Sequence, residues 1–207
     1  RLLSFGDDAM YFADHAMVTN VEYLKVAIMD VLDQSGVKYL LHTQVVDAIR
    51  ERNRVAGAVI ATKQGMAKIR AKICVDATGD ADLSYFAGAE TMKGREGDGF
   101  LSPMTLNLMV TNVDVPGAIA FTKGGGCRKL IQQARAKYPL LPESFGLARI
   151  PLANCMNINH AGTKLRGVLD ATNPRDITEA ERYGRHQALQ IVQALREFGG
   201  APFARVQ

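Results

Sequence analysis

The apolar positions of the chain fall into helical and strand-like spacings that alternate along it. Residues 10–13 and 16–18 predict two short strands. Thr19 and Glu22 stand three apart as a capping box, in which a hydroxyl and a carboxylate satisfy the free N–H groups of a first helical turn. Leu24, Ala27, Ile28, Val31 and Leu32 then recur at spacings of three and four, one face of a helix. Gly36 supplies its left-handed stop. Residues 37–42 read as a strand. Residues 44–50, 54–62 and 66–72 are rich in Val, Ile and Ala and are parted by turn residues at 51–53 and 63–65; they predict an antiparallel meander. Residues 73–76 read as a short buried strand. It stops at Ala77-Thr78-Gly79, and Asp80 and Asp82 open a helix over 80–90 with Leu83, Phe86 and Ala87 inward.

In the second half, residues 103–112 alternate as a strand, and Pro116 breaks the segment after it. Gly124-Gly125-Gly126 leads into a helix running to about residue 137. Residues 148–157 read as a strand interrupted at Pro151, hence an edge strand. Thr178 and Glu181 form a second capping box. The helix they start carries Ala188, Ile191, Val192, Leu195 and Phe198 as its stripe and stops at Gly199-Gly200. Residues 203–206 look like a strand just starting, and the chain begins at Arg1 without Met, so the expectation is an internal piece of a longer polypeptide.

Composition narrows the classes. The 207 residues are 47% hydrophobic and 22% charged, the profile of a folded domain rather than a disordered chain. A net charge of +4 does not by itself call for nucleic acid, and aromatic interleaving for stacked bases is missing. No apolar run approaches the roughly 20 residues of a membrane span, and there is no secretory leader pattern. Cys74, Cys127 and Cys155 are far apart and form no CxxC pair, which predicts reduced thiols, a cytoplasmic location and no metal site. No nucleophile motif of the GxSxG kind occurs. His15, His42 and His186 have no chemistry-bearing cluster around them, and the catalytic residues stay unassigned.

A strand that ends at a small-residue turn marks a ligand position in open α/β sheets, where ligands sit beyond the carboxyl ends of strands. A βα turn with an Asp cap and no ligand fits the same residues. The segment before the turn favours the ligand. The usual crossover between parallel strands is a helix, and a meander in that place is far less generic.

The stretches "VEYLKVAIMDVLDQSGVKYLLHTQVVDAI", "RVAGAVIATKQGMAKIRAKICVDATGDADLSYFAGAE", "KGREGDG" and "NPRDITEAERYGRHQALQIVQALREF" resemble FAD-dependent oxidoreductases of the glutathione-reductase-like flavoprotein fold. Within that fold they are similar to the fumarate reductase and succinate dehydrogenase flavoprotein branch, and more closely to bacterial FAD-dependent oxidoreductases. The implied fold class is α/β: part of an FAD-binding doubly wound domain with an antiparallel β-meander crossover, plus an inserted α+β substrate domain. The implied boundaries are 1–99 for the FAD-binding part, 100–175 for the insertion, and 176–207 for the helix and strand start that return to the first domain.

The resemblance also implies site residues. The backbone at Val45 lies beside the adenine of FAD, and Ala77, Thr78, Gly79 and Asp80 pack against the cofactor, with Gly79 permitting close approach. Arg149, Asn157 and His160 are the implied contacts for a small, anionic substrate, while Arg95 reads as a solvated loop residue. The family's GxGxxG phosphate loop and its C-terminal flavin-contacting segment are not in these residues. The resemblance therefore implies that the isolated chain binds FAD weakly or not at all and is inactive, whereas a longer parent passes hydride between a small organic substrate and flavin. An alternative is a non-redox, partner- or anion-binding module. It would use the basic helix 123–137, which carries five cations and no carboxylate.

Overall fold

The structure, a computed structural model, describes residues 2–5, 9–13 and 16–207, without the side chains of Leu3, residues 11–13, Ala16, Met17 and His160. In chain order its strands and α-helices are β1 (Met10–Ala13), β2 (Ala16–Thr19), α1 (Val21–Ser35), β3 (Gln44–Glu51), β4 (Arg54–Thr62), β5 (Gly65–Arg70), α2 (Asp82–Phe86), β6 (Thr105–Val110), α3 (Val115–Lys123), α4 (Gly126–Ala134), β7 (Gly146–Arg149), β8 (Met156–Gly162) and α5 (Pro174–Phe198). They form two compact bodies, one of residues up to 30 together with 94–207, the other of residues 31–93.

The larger body is centred on a three-stranded antiparallel sheet in the order β6-β8-β7. Val110, Met156, Ile158 and Leu147 from its strands share one buried cluster with Leu130 and Ile131 of α4, Ile191, Ala194 and Leu195 of α5, and Phe203 and Val206. Gly184 lets α5 approach the sheet, since a Cβ there would press on the Leu106 side chain. The expected boundary at 175/176 thus runs between segments whose apolar side chains lie together. Gln187 of α5 is fully buried. Its amide donates to the Leu140 carbonyl and accepts from the Gly162 N–H, so both ends of its side-chain amide are satisfied.

Several expectations shift here for local reasons. Pro116 lies in the first turn of α3 rather than breaking the chain, because proline lacks a donor that a first helical turn would leave unused. The interrupted strand 148–157 is two strands, β7 and β8, with Pro151 in the connection between them. α5 starts at Pro174, four residues before Thr178, because the Asn173 side chain accepts from the Arg175 N–H. Asn20 likewise caps α1 in place of Thr19, accepting from the Glu22 N–H at 3.1 Å. Of the predicted inward face of α1, Ala27 alone is buried, while Ile28 and Val31 are exposed.

In the smaller body the meander forms as expected, in the order β3-β4-β5. Every strand pairing among the described residues is antiparallel. The fold is thus mixed α/β with antiparallel sheets, and the strands expected at 37–42 and 73–76 carry no ladder. An extended segment becomes a strand only when a neighbour takes up its N–H and C=O groups, and no described element does so. Ile73 and Val75 are instead 83% and 85% exposed. Two bulges bend the first pairing, one inserting Val46 into β3 and one inserting Ala56 into β4. Gly57 follows in β4, and a Cβ there would collide with the Ile69 carbonyl.

Candidate functional site

The turn after residue 76 is organised by one carboxylate. Asp76 Oδ1 accepts from the Thr78 N–H at 3.1 Å and the Thr78 hydroxyl at 2.7 Å. Oδ2 accepts from the Ser84 N–H and the Ser84 hydroxyl, each at 2.8 Å. Thr78 Oγ1 in turn accepts from the Asp82 N–H at 2.8 Å. These bonds satisfy donors of the first turn of α2, which its own preceding residue, Ala81, does not cap. Ala81 sits in the left-handed region at φ 57°, an uncommon conformation for a residue with a Cβ. Hydrogen bonds from Thr78 first, and then from Ser84, hold the Asp76 carboxyl well below the ordinary carboxylate range.

The cofactor candidates fall around this network. Ala77, Gly79 and Asp80 are exposed, and Thr78 is half-buried. The hydroxyl of Thr78 is committed at both its hydrogen and an oxygen lone pair, so what the turn offers a ligand is backbone. Among the described residues, the N–H groups of Ala77, Gly79 and Asp80 make no backbone hydrogen bond within the chain. A Cβ at Gly79 would meet nothing within 4 Å, so no packing within the chain requires glycine there.

Val45 lies on β3, an edge strand of the meander, opposite Ile60. An edge strand leaves alternate N–H and C=O groups unpaired on its outer side, the chemistry needed to read a base edge. The short helix α2 lies against β3, and Arg50 of β3 donates to the Ala87 carbonyl at 3.3 Å. Strand and turn therefore belong to one packed piece. A groove of about 520 Å³ opens at the start of β3, lined by His42, Thr43, Gln44, Ala61 and Thr62.

The substrate candidates are not gathered in the same way. Arg149 stands opposite Met156, and Asn157 stands opposite Ala148 and Met109. Directly paired residues share a face and successive residues alternate, so Arg149 and Asn157 lie on opposite faces of the sheet. His160 is in β8; its side chain, like all of His15, lies outside the described residues. Arg95 is held by the Asp98 carboxylate at both Nε and Nη2 and sits 5.2 Å from the Phe100 ring centre. Its fork is occupied within its own loop.

The basic stretch 123–137 runs from the end of α3 through α4 to the turn that follows it. Its glycines form the corner between α3 and α4, where Gly125 has φ 73° and a Cβ at Gly126 would enter the Phe121 ring. Arg135 donates to the Pro142 carbonyl, and Lys137 pairs with Glu197. No group of His, Cys, Asp and Glu able to hold a metal occurs among the described residues, and no described helix is long and apolar enough to cross a membrane.

Asp76 and Ser84 are the residues of this site that sequence reasoning missed. The signal for Asp76 was present: an Asp two residues before a Thr, at the end of an extended run, reads as a turn-forming Asx. Nothing in the spacing announces that Ser84, eight residues on, bonds the same carboxylate.

The chain matches the family model of FAD dependent oxidoreductases over residues 6–206. It belongs to that family of flavin-linked redox proteins. No curated protein and no solved structure matches it significantly.

Proposed function

We propose that the chain supplies the adenine-side strand and the cofactor-facing turn of an FAD-dependent oxidoreductase acting on a small organic substrate. The observation that carries this reading is the turn at 77–80. It is fixed from below by Asp76, bare of long side chains at positions 77 and 79, and left with N–H groups that no backbone carbonyl takes up. Such a surface suits a dinucleotide that must come close to backbone. Val45 would hold the adenine through its backbone, and Ala77, Gly79 and Asp80 would hold the cofactor across the turn. When bound, FAD supplies the hydride-accepting or hydride-donating centre, and the protein's part is placement.

The sequence over residues 19–99 supports the fumarate reductase and succinate dehydrogenase flavoprotein branch. The exposed extended segments at 37–42 and 73–76 suit strands of a doubly wound sheet completed by further strands of a longer parent. An anionic substrate would meet Arg149 or Asn157 but not both, since they face opposite sides of one sheet.

The test is a visible-absorbance titration with FAD of the full-length polypeptide that carries these residues, beside the 207-residue chain. A yellow full-length protein with a colourless 207-residue chain is the expected result. A full-length protein that stays colourless at saturating FAD removes the flavin reading.

A further inference from the structure

A carboxylate that accepts four hydrogen bonds, two from a residue inside a bare turn and two from a residue beyond it, does more than cap a helix. Asp76 bonds Thr78 within residues 77–80 and Ser84 behind them. The chain from 77 to 84 is thereby folded back onto one side chain at two points. We propose that Asp76 is a positioning residue for FAD, fixing the shape in which Ala77, Gly79 and Asp80 present their backbone to it. The proposal rests on the reading of this turn as the cofactor contact and adds to it the residue that sets the turn's geometry.

Three features carry the assignment. Both carboxylate oxygens are used, and each takes one backbone N–H and one hydroxyl, so neither a neutral amide nor an alcohol at position 76 could replace it. Ala81, inside the closed loop, is kept at φ 57°, a conformation that persists only where the surroundings determine it. The Ser84 and Thr78 hydroxyls both point their hydrogens at Asp76, which leaves the backbone of the turn, and not these side chains, for a ligand. If Asp76 instead served α2 alone, its loss would change stability and leave cofactor affinity untouched.

The experiment compares wild type with Asp76→Asn, Ser84→Ala and Ser84→Thr in the full-length polypeptide. The dissociation constant for FAD is read by flavin fluorescence, and the thermal midpoint is read on the FAD-free proteins. Asp76→Asn is expected to weaken FAD by about tenfold or more, the scale of lost charge-assisted hydrogen bonds. Ser84→Ala, which deletes one hydroxyl bond, is expected to weaken it about threefold, and Ser84→Thr, which keeps a hydroxyl, to restore wild-type affinity. The Ser84 pair decides the matter even if Asp76→Asn fails to fold. Equal affinity in wild type, Asp76→Asn and Ser84→Ala overturns the positioning role while the flavin reading stands. A wild type that binds no FAD overturns both.

Discussion

The sheet of β6, β8 and β7 and the meander of β3, β4 and β5 are both three-stranded and antiparallel, yet their shapes depend on different things. The first is backed by helices and buries Val110, Met156, Ile158, Ile191 and Leu195 almost completely. In the second, Ala56 and Ile60 are the buried apolar side chains, and all of β5 is exposed. Apolar area removed from water stabilises the first at roughly 25 cal/mol per Å². The second has little such area, and its form is set by bulges and by one glycine, while the turn after it in the same body is held by the polar lock at Asp76. Substitutions should therefore act in one body by volume and in the other by backbone fit and hydrogen bonding.

The largest expected effect tests the first half of that contrast. Leu195→Ala should lower unfolding free energy by about 2–5 kcal/mol, the range for truncating a buried leucine, measured by denaturant unfolding. Next comes a change that adds one carbon to the meander. Gly57→Ala should cost about 1–3 kcal/mol, read as lost amide-exchange protection along β4 and β5, because the new Cβ meets the Ile69 carbonyl. A smaller loss, about 1 kcal/mol, is expected for Asn173→Ala, which removes the cap of α5; helix content by circular dichroism reports it. Ile73→Ala should stay within about 0.5 kcal/mol, since Ile73 is already in water, and a cost near that of Leu195→Ala would abolish the comparison.

The acid limb sharpens the contrast further. The folded pKa of Asp76 lies below its ordinary value of 3.8, so its contribution is complete above that value and is lost as pH falls from there toward the folded pKa. The stability gap between wild type and Asp76→Asn should accordingly be flat at neutral pH and shrink only below about pH 4. A gap that changes between about pH 6 and 8, where histidine titrates, would assign it to another group.

How far the sequence was legible divides along the same line. The meander was readable because its turns are local: Arg52-Asn53 and Lys63-Gln64 punctuate runs of Val, Ile and Ala. The stripe of α5 was readable because Ile191 and Leu195 repeat at helical spacing against a core that exists in the structure. The same kind of stripe on α1 predicted burial for Ile28 and Val31 that no described element provides. Periodicity reports which face seeks cover, and it does not report what supplies it. The segment 73–76 misled in the same way, its apolar run being strand-like while a ladder needs a partner. At the candidate site the turn itself was legible from Ala77-Thr78-Gly79. The bond from Asp76 to Ser84 was not, because it depends on where a short helix points after the chain has turned.

Gln187 sets a limit on how position 187 can vary. Its amide gives a hydrogen to the Leu140 carbonyl and takes one from the Gly162 N–H, and full burial keeps solvent from standing in for either bond. Glutamate would set an oxygen against the Leu140 carbonyl, leucine would strand both backbone groups, and asparagine is a methylene too short to reach them together. The twenty-letter alphabet thus shrinks at this site to nearly one letter. Slow hydrolysis of the side-chain amide, which makes the glutamate without any mutation, would be a chemical lesion in the middle of the larger body.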